Sequence, residues 1–246
     1  MLAILLAAAA SATDPTICAD RPSKANGVCT VPVGHWQIEA SALDWTHSSD
    51  TDATSIGQTF AKLGLSSSSD IEVGFTPYVS IKQPGSDASG VGDAVVRYKQ
   101  RLSGVGAPVQ VALIPFVKLP TAAHSIGNGK VEGGLAVPLS TAVSKSITLT
   151  LGPEVDMLAD GDGHGYHAAI TNLINLGWSA APKLSLSAEL WNNTNFDPGG
   201  TQHLWSADAS AAYLASNRLQ LDAGANFGLN RATADIELYG GVSVLF

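Results

Sequence analysis

Arg97, Lys99 and Arg101 recur at every second position, a spacing that puts three cations on one face of an extended strand. Such a ladder can act as an ion filter, as rings of charge do in channels, or carboxylates can neutralise it into a packed, salt-bridged wall. Both readings are open. The other run that invites chemistry is Asp160-Gly161-Asp162-Gly163-His164, with His167 close behind. It could bind calcium weakly, or place a histidine for hydrolysis of lipid or peptide, which needs a nucleophile beside a His held by a third group. Gly and Asp at this spacing are also ordinary turn chemistry. The expectation is a solvated loop, with no catalytic residue, no metal and no cofactor.

The elements that must position these groups are strands. Turn signals divide the chain from Gly34 onwards into twelve segments of a length suited to tilted barrel strands. They run Gly34–Thr46, Thr54–Leu65, Asp70–Lys82, Gly90–Leu102, Pro108–Leu119, Lys130–Leu139, Ser146–Leu158, Gly165–Ala180, Lys183–Asn195, Gln202–Leu214, Arg218–Leu229 and Thr233–Phe246. Within them apolar and polar residues alternate: Ile71, Val73, Phe75, Pro77, Val79 and Ile81 oppose Glu72, Gly74, Thr76, Tyr78 and Ser80. The second segment is the weakest case, because Gln58, Phe60 and Lys62 share a face. Short turns are expected at one end, and longer loops at the other, the first two being His47 to Ala53 and Gln83 to Ser89. Pro77, Pro115 and Pro153 should bend or bulge their strands at one depth, since proline cannot donate to the ladder. Trp36, Trp45, Trp178 and Tyr213 fall near strand ends, where an aromatic girdle would lie.

Composition fits such a barrel in a membrane. Charged residues make up 14% of the chain, below the roughly 25% of soluble domains, and the mean hydropathy is +0.16. No stretch beyond the N-terminus approaches the roughly 20 apolar residues of a spanning helix. A formal charge of -8 argues against nucleic acid as a partner. Leu2 to Ala10 followed by Ala10-Ser11-Ala12 reads as a signal peptide over residues 1–12, although a cationic start is missing. Residues 13–33 are then expected as a periplasmic N-terminal segment and 34–246 as the transmembrane barrel. Cys18 and Cys29 could pair after export, stabilising a small loop by roughly 2 to 3 kcal/mol on a loop-entropy estimate, or stay as free thiols. The last strand ends on Phe246, which resembles the sorting signal read by the outer-membrane assembly machinery.

The N-terminal block carries a more specific pattern: Cys18, Asp20-Arg21-Pro22, Cys29-Thr30-Val31-Pro32 and Gly34-His35-Trp36-Gln37-Ile38-Glu39. Gly90-Val91-Gly92-Asp93 with Tyr98-Lys99 and Arg101-Leu102 forms a second block, and Leu221-Asp222-Ala223-Gly224 with Phe227-Gly228-Leu229-Asn230 a third. Together they resemble the outer-membrane transporter family named for a phenol-degradation (meta-cleavage) pathway. The resemblance covers nearly the whole mature chain. It implies a Gram-negative outer-membrane barrel, with lipid bilayer and lipopolysaccharide around it, and offers no catalytic residue.

Taking the face opposite the apolar residues as lumenal gives a charge map. Arg97, Lys99 and Arg101 descend one wall towards the periplasm, with Glu72 at the height of Lys99 or Arg101. Glu132, Glu154, Asp156, Glu189, Asp235 and Glu237 lie nearer the outside, and Asp208 near mid-depth. An acidic outer vestibule above a basic inner wall is expected. The sequence therefore reads as an all-β, antiparallel, up-and-down transmembrane β-barrel of 12 strands. Its expected work is passage of small solutes across the outer membrane, with aromatic or hydrophobic compounds favoured only through the resemblance. A barrel-wall hydrolase and a non-transporting structural barrel are the alternatives.

Overall fold

The structure, a computed structural model, describes residues 14–246; the signal-peptide reading of residues 1–12 lies outside them. Seventeen β segments assemble into twelve antiparallel strands, because five strands are each broken once. In chain order these are β1 (Trp36–Ser48), β2 (Thr51–Ile56 and Thr59–Ser66), β3 (Ser69–Phe75 and Tyr78–Gln83) and β4 (Ser86–Gly90 and Ala94–Arg101). Then come β5 (Val109–Leu119), β6 (Glu132–Ala136 and Leu139–Ala142) and β7 (Ile147–Leu151 and Glu154–Ala159). The remainder are β8 (Tyr166–Ala181), β9 (Leu184–Asn195), β10 (Gln202–Ser216), β11 (Leu219–Gly228) and β12 (Ile236–Leu245). Each pairs with its neighbours in sequence, and β12 returns to β1 through a register running from Gln37–Leu245 to His47–Ile236, which closes the barrel. The Phe246 amide donates to the Trp36 carbonyl at 2.8 Å and continues that seam.

The burial pattern is inverted relative to a soluble core. On β3, Ile71, Val73 and Phe75 are exposed while Asp70, Glu72 and Thr76 are buried; on β8, Ile170, Ile174 and Leu176 are exposed while Thr171 and Asn175 are buried. An extended strand alternates its faces, so an apolar exterior and a polar interior follow directly from the two-residue period. Trp36, Trp178 and Tyr213 are exposed at the short-turn end, as an interfacial girdle requires, whereas Trp45 is half-buried and stacked on His47 at 5.9 Å.

The breaks in β2, β3, β4, β6 and β7 are local and chemical. Thr76-Pro77 and Gly152-Pro153 interrupt β3 and β7, as expected of proline. Pro115 does not interrupt β5 and faces Leu135 across the ladder; the β4–β5 pairing nevertheless skips from Arg97–Phe116 to Gln100–Leu113 beside it. Val137-Pro138 breaks β6, and Gly57-Gln58 breaks β2, where Gly57 has φ +73° and packs so close that a Cβ would lie 3.0 Å from Pro77. Ser41 of β1 spans that gap by bonding both sides, donating to Gln58 O at 2.8 Å and accepting from Gly57 N at 2.9 Å. Two outer connections expected to be long are tight instead. Thr51 pairs with Ser48 and Ser86 with Gln83, leaving Ser49-Asp50 and Pro84-Gly85 as two-residue turns.

Candidate lumenal site

Residues 14–33 do not form a segment outside the barrel. They fold into the lumen from the short-turn end, where Ile17 N donates to Asn217 O at 2.8 Å and Asp14 pairs with Arg218 at 3.0 Å, and they leave beside Gly64 through the Val33–Gly64 bridge. The physical reason is charge and hydrogen bonding. A lumen lined with polar side chains needs partners, and this segment supplies them. Cys18 and Cys29 are disulfide-bonded and cinch the inserted loop into a plug. The Cys18 amide donates to Gln37 Oε1 at 2.9 Å, and Gln37 Nε2 donates back to the Cys18 carbonyl at 2.7 Å. Room for the chain comes from glycine: a Cβ on Gly64 would run into the Pro32 carbonyl oxygen, and one on Gly241 would lie 2.5 Å from Arg21 Nη2.

The plug is docked by opposite charges on two walls. Against β2 and β4, Asp20 accepts from Lys99 at 2.7 Å and from Lys62, forming the centre of a cluster with Glu39 and Glu72. Lys62, Lys99 and Glu72 are fully buried. Burial would raise the Asp20 carboxyl, but the Lys62 and Lys99 ammoniums overcome it and hold Asp20 well below the usual carboxylate range. Against β9, β10 and β11, the polarity is reversed. Arg21 grips Asp222 at 2.8 Å, Lys24 reaches Asp208 at 2.9 Å, and the Ala25 amide donates to Glu189 Oε2 at 3.1 Å.

These contacts change the expected charge map. The three-residue basic ladder is divided: Lys99 is locked into ion pairs, Arg101 turns down to donate to Ser67 O at 2.6 Å, and Arg97 alone borders open space, lying over the Phe60 ring at 4.2 Å. Glu72 meets Lys99 at 3.5 Å as expected, but also Lys62 at 3.6 Å and Arg97 at 4.0 Å; its second expected partner, Arg101, is not among its ion pairs. The acidic groups do not form one outer vestibule. Glu189 and Asp208 hold the plug, Glu132 pairs with Lys118 at 3.0 Å and accepts from Ala159 N, and Glu237 accepts from Asn226 at 2.6 Å. Asp235 lies past the strand end and accepts from Ser49 N at 2.8 Å; Glu154 and Asp156 remain together on the lumenal face of β7. Asp20, Arg21, Lys24, Glu39, Lys62 and Asp222 are the functional residues the strand pattern passed over. Lys62 and Glu39 could have been found from their polar faces, but the plug residues carry no periodicity.

Between plug and wall a polar cavity of about 330 Å³ is lined by Arg21, Lys24, Gln58, Phe60, Arg97 and Glu154 among others. A second, of about 150 Å³, shares Lys24, Asn26 and Glu154 and adds Leu173 and Trp191. Water and small solutes have space here, beside fixed charges and two aromatic rings.

At the outer end, His167 Nδ1 sits 2.8 Å from Asp160 and 3.8 Å from Asp197, tying two loops together. Hydrogen bonds from the Gly199 and Gly161 amides hold the Asp197 carboxyl below its ordinary value. The His167 Nε2 is buried and has no hydrogen-bond partner among the described residues. The histidine cross-braces loops.

The family described as "Putative MetA-pathway of phenol degradation" matches residues 19–246. No curated protein matches the sequence. Among solved structures, an outer membrane channel from Pseudomonas putida F1 is similar with a TM-score of 0.67 at 14% identity, covering 89% of this chain and 98% of that one. The NanC porin gives 0.60 at 9% identity, covering 85% and 98%. The CymD monoaromatic hydrocarbon channel gives 0.51 at 7% identity, covering 87% and 88%. At these identities the likeness is one of fold, that of outer-membrane barrels.

Proposed function

Since the chain belongs to the phenol-degradation MetA-pathway family, we propose that it is an outer-membrane channel through which small solutes, aromatic or hydrophobic compounds foremost, pass when the plug shifts. The observation that carries this reading is the pair of cavities between plug and wall: the lumen holds polar, open space beside a segment of the same chain. Removal is physically reasonable. Buried ion pairs gain little net energy over their solvated components, so a plug held by them contributes position more than affinity, provided water replaces it. A single rearrangement of the 18–29 loop would open the route, with water taking the place of Asp20 at Lys62 and Lys99.

The aromatic preference rests on the family and on the monoaromatic hydrocarbon channel that shares the fold, and it is consistent with Phe60 and Trp191 facing the cavities. The bilayer with its lipopolysaccharide, and assembly machinery engaging Phe246, are the partners this role would require. Proteoliposomes loaded with a dye quenched by phenol test it. Entry faster than into protein-free vesicles is expected, and entry at the lipid-only rate for both phenol and a small polar solute would refute transport.

A further inference from the structure

Lys24 is held in a manner that a structural tether does not need. Its ammonium donates to Asp208 Oδ2 and to Ser206 Oγ, both at 2.9 Å, and lies 4.9 Å from the centre of the Trp191 ring. A carboxylate, a hydroxyl and an aromatic face around one nitrogen make the constellation that recognises organic ammonium ions. All three come from β9 and β10, which pair without a break from Leu184–Tyr213 to Asn195–Gln202. The same row carries spare acceptors. Glu189 stands directly across from Asp208, and Asp208 across from Asn226; each of these side chains is more than nine-tenths buried and has an oxygen without a donor, namely Glu189 Oε1, Asp208 Oδ1 and Asn226 Oδ1. Beside the ammonium position the smaller cavity offers apolar surface from Leu173, Ala136 and Pro138.

We propose that this wall site is a receptor for small organic ammonium ions, and that Lys24 is an internal ligand which such a solute displaces. A primary ammonium carries three N–H donors, of which Lys24 places two on Asp208 and Ser206; a solute ammonium at this position would find the same acceptors with spare oxygens in the same row, and the apolar side of the cavity matches its hydrocarbon part. Displacement would remove one of the plug's two cationic ties to the acidic wall, leaving Arg21 on Asp222. Solute binding and plug release would then be one equilibrium. The inference rests on the reading of the lumen as a solute route, yet the binding it describes does not require conduction.

The test uses the full chain in detergent, titrated with phenethylammonium and followed by tryptophan fluorescence, with 2-phenylethanol as the neutral probe. The variant Lys24→Ala should bind phenethylammonium about tenfold more tightly than the parent, because a competitor that occupies the site most of the time is gone. Adding Asp208→Asn to it should abolish that gain, and binding of 2-phenylethanol should stay level throughout. Where the double variant fails to run as a folded, heat-modifiable barrel, isothermal titration of Lys24→Ala with Trp191→Leu serves instead, and a loss of the gain is again expected. Equal affinity for the charged and neutral probes in Lys24→Ala, or a gain that survives both second substitutions, would overturn the proposal. Failure of liposome transport with ammonium binding intact would count against the channel reading alone.

Discussion

The two walls of the barrel differ in build and in charge. From β8 to β12 the strands are unbroken, reaching 16 residues in β8 and 15 in β10, and their lumenal faces present Asp208 and Asp222 to cations of the plug and Glu189 to its Ala25 amide. From β2 to β7, five of six strands are broken, and their buried cations Lys62 and Lys99 take up Asp20 of the plug. The continuous wall carries its lumenal carboxylates on strands paired along their whole length. In the broken wall the ion cluster is completed by the plug, and the strands are joined at the breaks by isolated bonds such as Gly92 N to Thr76 O at 2.8 Å. One short segment thus meets two walls differently: its cations sit on carboxylates of one, and its Asp20 completes the ion cluster of the other.

The sharpest way to break this contrast is at the centre of the ion cluster. Lys62→Met should destabilise the barrel by about 3–5 kcal/mol, because it leaves Glu39 and Glu72 buried with one partner fewer. Chemical unfolding from detergent micelles measures it. A loss no larger than that of Asp208→Asn would erase the distinction between the walls.

Next in size is a steric test of the plug's exit. Gly64→Ala drives a methyl into the Pro32 carbonyl, a backbone contact that cannot rotate away, and about 1–3 kcal/mol of destabilisation is expected, read from the same unfolding curves. The accompanying outcome is easier proteolysis within residues 14–33. Protection unchanged from the parent would show that the segment does not lie against β2.

A smaller effect follows from acid. The folded-state pKa of Asp20 is depressed, so its contribution to docking is fully present above the unfolded value of about 3.9 and is lost only as pH falls through the lower folded one. Plug protection, followed by hydrogen exchange of residues 18–29, should persist to about pH 4 in the parent, whereas Asp20→Asn should exchange faster at every pH. Smallest of all, Asp197→Ala should loosen the 160–165 and 196–201 loops in hydrogen exchange without altering barrel stability, since its ties are to exposed loop amides.

Much of this architecture could be read from the sequence, and the reasons are specific. The two-residue period of Ile71, Val73 and Phe75 against Glu72 and Gly74 defines a face whatever the partner strand, so strand number, order and lumenal side all followed. Boundaries shifted where sequence chemistry has two meanings: Pro84-Gly85 marks a tight turn as readily as a long loop, and Thr51 to Ala53 extend a strand despite their polarity. The alternation puts Arg97, Lys99 and Glu72 on one face of their strands, but it cannot supply their partners, because Asp20 arrives from an irregular segment. A plug has no period. Its position depends on side chains from β1, β2, β4, β10 and β11 that only meet once the barrel closes.

The central claim is that the lumen is the route and that residues 14–33 control it. Single-channel conductance in planar bilayers, comparing the full chain with a variant lacking residues 14–33 and verified as folded, tests this most directly. A several-fold larger conductance with increased preference for cations is predicted, because Asp222 and Asp208 would lose Arg21 and Lys24, and Glu189 would lose the Ala25 amide. Equal conductance and unchanged ion preference in the two proteins would contradict it.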